Sequence, residues 1–233
     1  MMLKRKNSIV YDEDLLGKYY VFRDRFHAGE ELGKACLKVL DSSNWVLAIP
    51  MGGIPIGIKV SKILSANFDI LICRKLLIPW NREDGFGAVD PDGRYFIDEE
   101  FASSIGLSRK DIEEAVKEQI NEIKTRNMLL RSGREYPSYN SLRVVLVDDG
   151  IAAGYTMMAA INFVKSRGAS GIIVASPTGN LNSLLKLSRS ASTIICLNIR
   201  SGPWFAVADA YESWRDIGYE EALNMLREEL QGL

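Results

Sequence analysis

The sequence predicts an α/β fold: an open, mainly parallel five-stranded sheet with helices on both faces, plus a lid or hairpin and a small hood over the carboxyl edge. Two observations carry this. The runs "WVLAIP" (Trp45–Pro50), "FDILIC" (Phe68–Cys73), "RVVLVDD" (Arg143–Asp149), "GIIVAS" (Gly171–Ser176) and "STIICL" (Ser192–Leu197) are short and apolar nearly throughout, as strands buried on both faces are. Segments of helical period alternate with them, the pattern of strands joined by covering helices.

In chain order, Phe26–Leu40 has helical apolar spacing. "WVLAIP" stops at a proline and two glycines, and "IPIGIKVSKIL" (Ile54–Leu64) is helical despite Gly57. After "FDILIC" the period is lost. Arg74–Phe96 mixes charge, proline, glycine and aromatics, and Asp90-Pro91-Asp92-Gly93 is a turn between "FGAV" and "RYFI", which predicts a small hairpin. A long helix starts at Ser108 as N-cap and ends near Gly133, with acidic residues early and basic ones late. A helix from about Tyr155 to Arg167, closed by Gly168, follows the third strand. "NLNSLLKLSRS" is a helix between the last two strands, Ser201–Trp214 is irregular and aromatic, and "EEALNMLREEL" is a terminal helix. The lid (about 74–97) and the hood (about 201–216) are parts of a single domain over residues 1–233.

A formal net charge of −1 gives no support for broad electrostatic binding to nucleic acid or an anionic membrane. Cys36, Cys73 and Cys196 are far apart and read as buried thiols of a reducing compartment. A single histidine, His27, excludes a multi-histidine metal site, and it reads as structural near a helix start. No apolar run approaches the roughly 18 residues of a membrane span, and the basic N-terminus has too short an apolar stretch for a signal peptide. A soluble, cytoplasmic protein is expected.

The stretch "VVLVDDGIAAGYT" (Val144–Thr156) carries the chemistry. In open parallel sheets ligands bind outside the carboxyl ends of the strands, where Asp148 and Asp149 fall. Two carboxylates there can accept from vicinal hydroxyls or hold a cation. The segment Gly150–Thr156 opens a helix, so free N–H groups and the positive helix end suit a phosphate. Small residues at Ala152, Ala153 and Gly154 allow close approach, and Thr156 adds a hydroxyl. The stretch reads as a grip for ribose 5-phosphate. It is not a P-loop, lacking G-K-[ST], nor a dinucleotide fingerprint, lacking G-x-G-x-x-G. A receiver-like acidic pocket and a plain β–α turn with helix-capping aspartates are the competing readings.

This stretch resembles the phosphoribosyl-pyrophosphate (PRPP) motif of type I phosphoribosyltransferases. "FRDRFHAG", "AIPMGGIPIG", "ICRK", "PWNREDGFGAV", and "FAV" with Tyr211 resemble a branch usually labelled predicted phosphoribosyltransferases, in family order over nearly the whole chain after about Tyr20. The resemblance implies that Asp148 and Asp149 are the catalytic pair and contact the ribose hydroxyls. It implies that Ile151, Ala152, Ala153, Gly154, Tyr155 and Thr156 hold the 5′-phosphate. The "PMGG" turn, with Met51, Gly52 and Gly53, would bind pyrophosphate together with Arg74 and Lys75. Mg²⁺ would be the cofactor, reached through PRPP oxygens and water, with Asp148 or Asp149 as a candidate ligand. The partners implied are PRPP, a small-molecule acceptor and a second copy of the chain in a homodimer.

The implied reaction displaces pyrophosphate from C1 of PRPP with a nitrogen nucleophile, a nucleobase or related heterocycle, beneath a mobile 74–96 lid. Trp204 and Phe205 are the candidates for stacking on the acceptor. Three departures from the family pattern bear on this. Ala153 lacks a hydroxyl that many members have, Ala152 replaces the acidic base of hypoxanthine-guanine members, and Met51 stands where this branch often has Arg. Arg74-Lys75 also lacks the Lys and His that follow in orotate members. A second expectation is therefore a non-catalytic PRPP- or nucleotide-sensing protein, and a third is a receiver-like signalling domain.

Overall fold

A computed structural model describes residues 1–202 and 204–231; Pro203 of the expected hood lies outside the described residues. The elements run β1 (Leu3–Lys6), β2 (Ile9–Asp12), α1 (Arg25–Val39), β3 (Trp45–Ala48), α2 (Gly53–Leu64), β4 (Asn67–Ile70), β5 (Arg74–Ile78), β6 (Asn81–Val89), β7 (Tyr95–Ile97), α3 (Glu99–Ser104) and α4 (Arg109–Arg131). They continue with β8 (Arg143–Val147), α5 (Tyr155–Ser166), β9 (Gly171–Asn180), α6 (Leu181–Leu187), β10 (Thr193–Arg200) and α7 (Tyr219–Gln231).

The main sheet has the order β1-β2-β10-β9-β8-β3-β4 and is parallel except for the β1/β2 pair. The fold class read from the sequence holds, but the sheet has seven strands, not five. The two extra strands are four residues each, and "LKRK" of β1 is mostly exposed at the edge. An edge strand with one open side and basic side chains lacks the apolar run that marks a central strand. The five expected strands lie side by side from β10 to β4, with β4 at the edge opposite β1. From β3 the chain crosses outward to β4, then returns to pair β8 on the other side of β3 and proceeds to β9 and β10. The strand order therefore reverses between β3 and β8, the position where such sheets open a ligand crevice.

Alternation along the central strands serves two apolar layers. Val144 and Leu146 of β8 pack with α5 residues such as Ala160 and Phe163. Val145 and Val147 pack with Ala28, Leu32 and Cys36 of α1 and Ile56 and Val60 of α2. All three cysteines are buried and free, as expected. A third apolar cluster joins Ile70, Leu76, Phe86, Ile123 and Leu226, tying the lid, α4 and α7 to the sheet edge.

The lid is more than a hairpin. β5, β6 and β7 form a three-stranded antiparallel sheet, with β5 and β6 out of register at Leu76/Leu77 and Leu77/Ile78. The expected turn is present: Asp90 Oδ1 accepts from the N–H groups of Asp92 and Arg94, at 2.9 Å each. Ser108 caps α4 as expected, accepting from Asp111 N–H (3.2 Å) while Asp111 Oδ2 accepts from Ser108 N–H (2.9 Å).

Candidate active site

Asp148 and Asp149 follow the last residue of β8, beside the turn that leaves β3. Asp149 N–H donates to Asp148 Oδ1 (2.8 Å), and Asp149 Oδ2 accepts from Arg25 Nε (2.8 Å). The other oxygen of each carboxyl accepts from no N–H group among the described residues, and the two carboxyls lie within hydrogen-bonding reach of each other. Burial, with the charge of Asp149 adding to it, pushes the Asp148 carboxyl well above the usual carboxylate range. Burial raises Asp149 too, while the Arg25 guanidinium pulls it back.

Beyond the aspartates the chain turns under the hood. A Cβ on Gly150 would lie 2.2 Å from Val207 Cγ1, so only glycine fits. Ile151 then joins the sheet, donating to the Thr178 carbonyl (3.0 Å) and accepting from Asn180 N–H (2.8 Å). Its N–H is committed, so Ile151 supplies no donor to the expected phosphate cradle. The N–H groups of Ala152, Ala153, Gly154, Tyr155 and Thr156 donate to nothing among the described residues. Gly154 precedes α5 at φ +81°, a conformation that favours glycine. From behind, Ser183 Oγ on α6 donates to the Ala152 carbonyl. The Tyr155 hydroxyl donates to Asp98 Oδ2 (3.2 Å), and burial pushes it up to about 12.

This loop is one wall of a cleft of about 230 Å³. The cleft is lined by Asp148, Gly150–Met157 and, opposite them, Lys75, Asp84 and Gly85 of the β5–β6 hairpin. The structure thus brings together Asp148, the 152–156 cradle and Lys75. Lys75 is the one cation lining the cleft among the described residues, and burial lowers its pKa. Of the other charged residues of the hairpin, Asp84 lines the cleft, while Arg82 donates to the Glu118 carboxylate on α4.

Other expected positions lie elsewhere. Arg74 alternates with Lys75 along β5, so its side chain takes the opposite face and Nε donates to Gln119 Oε1 (3.2 Å) on α4. The Pro50–Met51 peptide is cis, and Met51 packs its side chain against the apolar cluster of lid and α7. Gly53 N–H is spent on the Ile49 carbonyl (3.0 Å). Gly52 abuts Asp149: a Cβ there would lie 1.8 Å from Asp149 Oδ2. Trp204 is 90% exposed, and Phe205 lies under the Arg200 guanidinium, 4.5 Å from its ring centroid, so neither lines the cleft. His27 Nδ1 accepts from Arg23 N–H (3.2 Å), in keeping with a structural role.

Sequence reasoning assigned no role to Arg25. A signal was present: a cation in the first turn of a helix opposes the helix dipole, and Arg25 is the first residue of α1.

The strand order, the crevice at its reversal and the carboxylate-plus-cradle loop define a doubly wound α/β domain with a cleft at the strand ends, where such folds open their ligand sites. Residues 97–213, half of the chain, match the family described as "Phosphoribosyl transferase domain". The chain belongs to that family, which removes the receiver-like reading. It is similar to a crystal structure of the protein TT1426 from Thermus thermophilus, with a TM-score of 0.72 and 28% identity over 89% of this chain and 98% of that one. Two curated relatives from Mycobacterium tuberculosis, Rv0571c (strain ATCC 25618 / H37Rv) and MT0597 (strain CDC 1551 / Oshkosh), carry the provisional name phosphoribosyl transferase. Each is 29% identical over 206 residues, 88% of this chain and 46% of the relative. The chain thus spans about half the length of these relatives. No described helix is long and apolar enough to cross a membrane.

Proposed function

We propose that the protein is a phosphoribosyltransferase that displaces pyrophosphate from C1 of PRPP with a nitrogen nucleophile on a heterocyclic acceptor. The observation that carries this reading is one cleft joining Asp148, five unpartnered N–H groups from Ala152 to Thr156, and Lys75. The cradle suits the dianionic 5′-phosphate. The oxygens of Asp148 and Asp149 that accept from no protein N–H would each accept from one of the two hydroxyls of the ribose. The C1–O bond to pyrophosphate breaks with its electron pair leaving on pyrophosphate, the C1–N bond forms, and the nitrogen's proton passes to solvent. The transition state has oxocarbenium character, so the protein's task is to hold the sugar, balance the leaving charge and exclude water.

Lys75, which lines the cleft, would meet the leaving pyrophosphate, and the β5–β6 hairpin would cover it. Asp148 and Asp149 offer hard oxygen donors that fit Mg²⁺. The described residues hold no cluster of three or more acidic, histidine or cysteine side chains, so the ion would share its coordination with ligand oxygens and water. When bound it supplies positive charge to the pyrophosphate oxygens. A homodimer in the cytoplasm belongs to the same reading.

One observation favours a PRPP sensor instead. With Arg74 turned to α4 and Met51 in an apolar cluster, the leaving group meets a single cation, Lys75. Calorimetry with PRPP and Mg²⁺ tests both readings, and pyrophosphate release across purines, pyrimidines and small amines separates them. Asp148→Asn with Asp149→Asn is expected to abolish PRPP binding with the fold intact; no binding by the native chain at millimolar PRPP overturns enzyme and sensor together.

A further inference from the structure

We propose that Arg25 is a positioning residue that couples the hood segment 211–215 to Asp149, so that the ribose grip is set by a part of the chain outside the phosphate loop. The inference rests on the PRPP-binding reading. Asp149 is held from three sides. Arg25 Nε takes Oδ2 at 2.8 Å, the Tyr211 hydroxyl donates to its carbonyl at 2.6 Å, and Gly52 presses against its carboxyl with no room for a Cβ. Arg25 is fixed in turn by the hood. Its Nη1 donates to the Arg215 carbonyl (2.8 Å), and its guanidinium carbon lies 3.7 Å from the Trp214 ring centroid.

The two segments that supply these groups are zipped together. Phe22 N–H donates to the Ala210 carbonyl (3.0 Å), Glu212 N–H to the Phe22 carbonyl (2.8 Å), and Ser213 N–H to the Arg23 carbonyl (2.9 Å). Arg25 begins α1 directly after this ribbon, capped by Asp24, whose Oδ1 accepts from His27 N–H (2.8 Å). The guanidinium is planar and held at one nitrogen by Asp149, at another by a backbone carbonyl and on its face by an indole. An ammonium could not reproduce that fixed geometry. Its consequence is selective occupancy. With Oδ2 held by Arg25, the other oxygen of Asp149 is the one free of protein N–H donors among the described residues, as Oδ2 of Asp148 is while its Oδ1 accepts a backbone N–H. A change at Trp214 or Arg215 therefore reaches the ribose site through Arg25 without touching the ligand.

The experiment is a PRPP titration in Mg²⁺ by calorimetry, with a thermal melt for each variant. Arg25→Met is expected to weaken PRPP binding by at least about tenfold, and Arg25→Lys to recover little of it. In an Asp149→Ala background the same Arg25→Met change is expected to cost less than about twofold, because the carboxylate that Arg25 holds is gone. Trp214→Leu, which leaves Arg25 and Asp149 in place, is expected to weaken binding about threefold; it carries the test alone if Arg25→Met does not fold. Native-like affinity in Trp214→Leu and in any folded Arg25→Met overturns the proposal while leaving the PRPP reading intact. An equal loss in both backgrounds overturns it too, since Arg25 would then act independently of Asp149. No PRPP binding by the native chain overturns the underlying reading, and the proposal with it.

Discussion

Gly52 has no room for a side chain, because the carboxylate of Asp149 already occupies that space. Gly52→Ala would put Cβ 1.8 Å from Oδ2, so the carboxyl must swing and its bond to Arg25 must stretch or break. Losing one charge-assisted bond at a ligand grip is worth about 1.5–3 kcal/mol, so PRPP affinity is expected to fall by about tenfold or more. Calorimetry reads this directly, and native affinity in Gly52→Ala would mean that the ribose does not need Asp149 where the structure puts it. At this scale the sequence showed the carboxylates and the small-residue cradle, because both are local: strand end, turn and helix start all lie within the single stretch Val144–Thr156. It did not show Arg25 or the direction taken by Arg74. Arg25 reaches Asp149 across 124 positions of chain. Arg74 and Lys75 are adjacent, and only the pairing of β5 decides which of them faces the cleft.

Among the elements, those with a clean period were legible and those without one were not. β3, β8, β9 and β10 are continuous apolar runs, and α4 announces itself with a capping box. β5 was not legible because its register with β6 breaks twice, which spoils the alternation that marks a strand. The strand in "FDILIC" is shorter than its apolar run. Leu71 N–H still donates to the Ala48 carbonyl of β3 (2.9 Å), but Ile72 N–H donates to the Tyr136 hydroxyl (3.0 Å) instead of to a neighbouring strand, and Ile72 and Cys73 stay buried outside the sheet. The same irregular hairpin carries Lys75 and Asp84 into the cleft, and its tip is tied to α4 by the exposed Arg82–Glu118 pair. An exposed ion pair contributes about 0–1 kcal/mol, so this tether is light. Arg82→Ala is expected to speed hydrogen exchange of the β5–β6 amides by up to about fivefold and to move the melting temperature by no more than about 2 °C. Unchanged exchange in that hairpin would show that the packing of Leu76, Ile78 and Phe86 holds it without the tether.

Over the whole molecule, the cleft depends on β3 and β8 staying side by side while the long excursion from β4 to β8 wraps back over the sheet edge. A buried ion pair fastens that excursion. Arg131, at the end of α4 and 2% exposed, donates through Nε to Asp69 Oδ1 (3.0 Å) and through Nη2 to Asp69 Oδ2 (2.7 Å). Its guanidinium carbon also sits 3.7 Å from the Tyr136 ring centroid, and Nη1 donates to Asn127 Oδ1 (2.8 Å). No pattern in the sequence pairs Asp69 with Arg131; the link exists only once α4 has crossed back to β4. Removing one partner strands a buried charge, which costs about 3–5 kcal/mol, whereas replacing both with apolar groups of similar size is often close to neutral. Asp69→Leu alone is therefore expected to lower the melting temperature by roughly 6–20 °C for a chain of this size, and Asp69→Leu with Arg131→Met to recover most of that loss. PRPP affinity measured well below the melting transition is expected to stay native in both, because neither residue lines the cleft. A double variant as unstable as the single would mean that the pair's hydrogen bonds to Asn127 and its stacking on Tyr136, rather than charge compensation, hold α4 to the sheet. Affinity lost in step with stability would mean that the excursion and the cleft open together, and that the edge of the sheet is part of the site.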